Sequence, residues 1–104
     1  MENQHRKIKG YRELSQAEID LMNRIKAKGA ELLVLQAELE ELLGKQRFDV
    51  QAAALSDTEY ESPANAEHRR FTEAEPLRWA AIGKTDIQTG IMALVRAVAQ
   101  PAGV

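Results

Sequence analysis

The stretch SQAEIDLMNRIKAKGAELLVLQAELEELL, residues 15–43, decides the fold. Ser15 precedes Glu18 at the spacing of a capping box, in which a hydroxyl and a carboxylate satisfy free amides at a helix start. Asp20 adds negative charge near the same positive end of the helix dipole. Apolar residues then recur with a helical period. Met22, Ile25, Gly29, Leu32, Leu39 and Leu43 form one stripe, and Leu21, Leu35 and Leu42 widen it. No proline interrupts the chain between Met1 and Glu61. Gly44 reads as a stop or as a tolerated interior glycine. Ala52, Ala53, Ala54 and Leu55 favour continued helix, so the expected element runs over about 16–55.

Downstream, Ser56-Asp57 and Ser62-Pro63 are break signals, and the expectation for about 56–72 is a polar loop. A second long helix is expected over about 73–100. Thr72-Glu73-Ala74-Glu75 has capping-box spacing, and Pro76 suits a first turn, where amides have no partner. Trp79, Ala80, Gly83, Ile87, Gly90, Ile91, Leu94 and Val98 trace its apolar face. Glycine inside a helix costs about 1 kcal/mol relative to alanine. Gly83 and Gly90 therefore suggest close approach of another backbone or of a ligand. Pro101 and Gly103 end the element, and His5 to Leu14 suggests a short helix over about 3–12, broken near Gly10.

The fold class is therefore all-α: a single helical-hairpin domain over 1–104, with a short N-terminal helix and two long antiparallel helices. One hairpin cannot bury stripes this wide on both helices, so a homo-oligomer is expected. Apolar residues at 44% and charged residues at 29% describe a globular chain, and aromatics at 5% argue against a β-sandwich. The absence of cysteine removes disulfides and thiolate chemistry and fits a reducing cytosol. The polar start from Met1 to Lys9 lacks the apolar stretch of a signal peptide, and no apolar run reaches membrane-spanning length.

The net charge of −2 hides a pattern. Arg6, Lys7, Lys9, Arg12, Arg24, Lys26 and Lys28 make the first 28 residues basic, while residues 29–75 are strongly acidic. A general DNA binder needs a long basic face, which this pattern lacks. A small anion held at one end is compatible with it.

The residue types offer no catalytic constellation. His5 and His68 each stand alone in polar, charged segments and read as solvated. Ile82-Gly83-Lys84-Thr85 looks like the tail of a phosphate loop, but the first glycine is missing and the segment has a helical pattern. Glu38, Glu40 and Glu41 read as a solvated helix face rather than a metal site. The expectation is a protein that is not an enzyme, with no catalytic residue, no metal and no cofactor. Tyr11, between Gly10 and Arg12, fits either a packed side chain at a helix start or a platform for a base. Lys26 lies at the border of the apolar stripe, where lysines reach outward to water or to an anion.

Two blocks of the chain are similar to a known family. They are His5-Arg6-Lys7-Ile8-Lys9-Gly10-Tyr11-Arg12-Glu13-Leu14-Ser15 with Ile19-Asp20-Leu21-Met22-Asn23 and Ile25-Lys26, and Arg78-Trp79-Ala80-Ala81-Ile82-Gly83-Lys84-Thr85-Asp86-Ile87-Gln88-Thr89-Gly90 with Met92 to Pro101. Together they resemble the phage anti-CBASS cyclic nucleotide sponges, where CBASS is cyclic oligonucleotide-based antiphage signalling. The resemblance covers about half the chain, and residues 44–75 carry none of it. It implies a homohexamer in the cytoplasm of an infected bacterium, sequestering cyclic dinucleotides such as cyclic GMP-AMP without degrading them. The family's key tyrosine and lysine fall on Tyr11, which would stack on a base, and Lys26, which would hold a phosphate. Some members take cyclic trinucleotides at separate sites near a threefold axis. The arginine used there falls on Arg78, and the threonine has no counterpart, since position 28 is Lys28. Arg96 could lie near Tyr11 and Lys26 in an antiparallel hairpin. The contrasting expectation is a structural or adaptor hairpin that binds a protein partner, and it needs only the amphipathic helices.

Overall fold

The computed structural model describes residues 12–57 and 62–102. Among these residues it contains three helices and no strand: α1 (Gln16–Leu55), α2 (Pro63–Ala74) and α3 (Pro76–Ala99). The short helix expected over about 3–12 lies outside the described residues.

Helix α1 starts as its sequence dictates. Glu18 N donates to Ser15 Oγ at 3.1 Å, and Ser15 N donates to Glu18 Oε1 at 2.9 Å, so both halves of the capping box are made. Gln16 Nε2 donates to Asp20 Oδ1 one turn on, at 2.8 Å. Gly44 does not stop the helix; it is an interior residue with nothing within 4 Å of its Cβ position.

The loop expected over 56–72 is replaced for most of its length by α2. Ser62-Pro63 is a break and also a start. Ser62 has extended backbone and accepts a hydrogen bond from Asn65 N at 3.1 Å, and Pro63 occupies the first turn. Ser62 is itself buried. The capping box expected at Thr72 to Glu75 does not form. Thr72 Oγ1 donates to His68 O at 2.8 Å, inside α2. Glu75 adopts the left-handed conformation (φ 50°, ψ 49°) as the C-cap of α2, and its N–H points to Thr72 O at 3.3 Å. The second long helix therefore begins at Pro76 rather than 73. Gln100 repeats the left-handed cap at the far end of α3, donating to Arg96 O at 2.8 Å.

The chain divides into two compact units, each described separately. Within the described residues, the first joins 12–33 to 86–102. Here Met22, Ile25 and Leu33 of α1, with buried Gly29, share the inward side with Ile87, Ile91, Val95 and Val98 of α3. Arg12 Nη2 donates to Val98 O at 2.9 Å, so the start of α1 meets the end of α3 and the two helices run antiparallel. The second unit is Val34–Thr85. Its buried residues are Phe71, Ala80, Ser62 and Gln36. Gln36 Nε2 donates to Ala80 O at 2.9 Å and to Glu40 Oε2 at 2.8 Å, which pins α1 against α3.

Leu32 and Leu39 leave the inward stripe expected of them and are 48% and 44% exposed. An α-helix drifts about 20° per heptad against a strict seven-residue repeat. Leu33 and Glu40 therefore take the inward positions, and Leu39 joins Leu35 and Leu42 on an outer apolar face. Among the described residues, Gly83 and Gly90 have nothing within 4 Å of their Cβ positions, so the close approach expected there is not made by them.

Ser15→Ala and Ser62→Ala should each lower unfolding free energy by about 1 kcal/mol, read as a shifted urea midpoint at unchanged slope.

Candidate functional site

Lys26 and Arg96 line one concavity of the first unit, about 600 Å³ in volume. Thr89, Met92, Ala93 and Arg96 follow one face of α3, and Ile91, Val95 and Pro101 complete the wall. Among the described residues, Lys26 and Arg96 are the charged side chains that line it. The volume falls within the roughly 300–1,000 Å³ of small-ligand sites. Its apolar wall suits the face of a base, and the ammonium and guanidinium groups suit phosphate oxygens. Lys26 is exposed and takes no ion pair among the described residues. Tyr11, the expected base platform, lies outside the described residues.

Arg12 has a structural task that the sequence reading missed. Its guanidinium pairs with Glu18 and also reaches Val98 O, joining the capping box of α1 to the last turn of α3. The Arg12 hydrogen bond, with the Ser15 amide behind it, holds the Glu18 carboxyl below the usual carboxylate range. The signal for this was the position of Arg12, three residues ahead of Ser15.

A second concavity, about 300 Å³ in volume, lies in the other unit. Arg78 lines it with Arg47, His68 and Phe71, and Glu75 stands beside them. Arg78 Nη1 is 3.8 Å from Glu75 Oε2, and its guanidinium lies 5.2 Å from the centre of the Trp79 ring. His68, read from sequence as solvated, is half-buried and faces this concavity. Arg47 had no role in the sequence reading, and it was hidden in the segment that resembles nothing. Lys28 lines neither concavity; it is exposed and pairs with Glu31 at 3.6 Å. Among the described residues no group of three His, Asp or Glu side chains could hold a metal ion. None of the described helices is long and apolar enough to cross a membrane.

Among the described residues the chain is an all-helical protein with a cation-edged apolar concavity. Residues 3–99 match the family model for the Acb2/Tad1 hairpin domain, and the chain belongs to that family. It is similar to anti-CBASS protein 2 of Pseudomonas phage JBD67, with 64% identity over 107 residues covering 99% of each chain.

The Glu18 carboxyl should titrate below an ordinary glutamate by carbon-detected NMR and move back toward it in Arg12→Gln. Because its folded value is lowered, its contribution to stability is present above the unfolded value and is lost as pH falls through the folded one. Melting temperatures of Glu18→Gln should therefore fall less on acidification than those of the native chain.

Proposed function

We propose that this protein captures cyclic oligonucleotide signals and so blocks CBASS immunity in the cytoplasm of an infected bacterium. The observation that carries this reading is the pairing of Lys26 and Arg96 across one apolar concavity. A cyclic dinucleotide such as cyclic GMP-AMP has two bases and two phosphates. Lys26 takes one phosphate, Arg96 supplies a second cation, and Tyr11 stacks on a base. Charge-assisted contacts of this kind are the strong ones, and aromatic stacking adds roughly 1–3 kcal/mol per base. The similarity to an anti-CBASS protein supports the same reading.

Assembly completes the site. Leu35, Leu39 and Leu42 are 59%, 44% and 51% exposed on one face of α1. A second copy covers them, and a homohexamer is the assembly we infer. Cyclic trinucleotides are taken separately through Arg78, which Arg47 and His68 accompany. Capture requires no bond to be made or broken, so the ligand stays intact. An adaptor hairpin would use the same leucines to hold a different protein, without affinity for nucleotides.

Calorimetry with a panel of cyclic di- and trinucleotides tests the reading. Tyr11→Ala and Lys26→Ala should each abolish uptake of cyclic GMP-AMP with the mass of the assembly unchanged. Normal uptake by both variants would remove these residues from the site, and no uptake by the native protein would favour the adaptor. Leu35→Asp combined with Leu39→Asp should reduce the assembly to smaller species in sedimentation while helicity persists.

A further inference from the structure

Among the described glycines, only Gly29 is buried. A Cβ built on it would overlap Ile91 Cδ1 outright and lie 2.7 Å from Ile91 Cγ1. Gly44, Gly83 and Gly90 meet nothing within 4 Å. The missing side chain is therefore a notch in α1 that the Ile91 side chain fills. Ile91 Cδ1 can turn away about χ2, but Ile91 Cγ1 moves only with χ1. The β-branch of isoleucine leaves one strongly preferred χ1 rotamer in a helix.

The notch lies at the concavity. Gly29 is three residues beyond Lys26, so the two are neighbours on one face of α1. Ile91 lines the same concavity as Lys26, and Val95 and Arg96 follow one turn later on α3. The depth to which Ile91 seats against α1 sets the spacing of the two helices where the cations stand.

We propose that Gly29 is a positioning residue of the capture site: by admitting Ile91 against α1, it fixes the gap across which Lys26 and Arg96 hold a cyclic dinucleotide. The inference rests on the capture reading above. An alanine methyl in the notch forces Ile91 off its rotamer or pushes α3 outward. Binding constellations tolerate displacements of only about 0.5 Å.

The test is a double-mutant cycle of the native chain, G29A, I91A and G29A/I91A, with cyclic GMP-AMP as the calorimetric probe. Assembly mass and melting temperature are measured alongside. G29A should bind about tenfold more weakly, or worse, at unchanged mass. I91A removes every Ile91 atom that the added methyl would meet, so I91A and G29A/I91A should bind alike. The double variant should also melt higher than I91A, because alanine is the better helix former. Native-like binding by G29A, or an equal loss from the G29A change in both backgrounds, would overturn the proposal. Should G29A fail to fold, the I91A pair decides alone: equal binding supports the notch, and a loss on adding G29A to I91A refutes it. Failure of the native chain to bind the probe would instead bring down the capture reading itself.

Discussion

Helix α1 has more apolar surface than the other described residues cover. Its inward line is met by Ile91, Val95 and Val98 in one unit and accompanied by Phe71 and Ala80 in the other. The face with Leu35, Leu39 and Leu42 has no such cover. Small domains are marginal because little of their surface can be buried. Only two apolar side chains among the described residues, Phe71 and Ala80, are buried, and each keeps 7% exposure. The architecture therefore leans on directional contacts that hold the helices in register. The Gln36 bond to Ala80 O does this in one unit, and the Arg12 bond to Val98 O does it in the other.

Those contacts place chemistry as well as hold structure. Because α1 and α3 run antiparallel in the first unit, a lysine early in one and an arginine late in the other line the same concavity. Among the described residues, the two cations share a mostly apolar wall that holds no carboxylate. In the second concavity the balance differs. Glu75 stands close to Arg78, which draws charge away from any anion that comes there.

Much of this was legible in the residues. Ser15 and Glu18 announced the start of α1, and the period from Met22 onward announced its inward face. The alanine run at 52–54 argued correctly that α1 passes Gly44. The helix α2 was not legible, because Ser-Pro signals a break and a helix start equally well, and the segment offers one buried apolar anchor, Phe71. Thr72 and Glu75 have capping-box spacing, yet the hydroxyl bonds backward to His68 O, and Glu75 becomes a left-handed cap. Leu32 and Leu39 were misplaced because a strict seven-residue stripe ignores the drift of a real helix. In the candidate site, Lys26 came from resemblance and Arg96 from the hairpin's direction. Gly29 was read as one more member of a stripe. Only the position of Ile91 shows it to be a notch.

The central claim is capture without chemistry, and its most direct measurement is the fate of the ligand. The protein is loaded with cyclic GMP-AMP, freed of excess ligand and denatured, and the released material is resolved by chromatography and mass spectrometry. The account predicts stoichiometric recovery of the intact cyclic dinucleotide. Recovery of linear or cleaved product, or of no retained ligand, would contradict it.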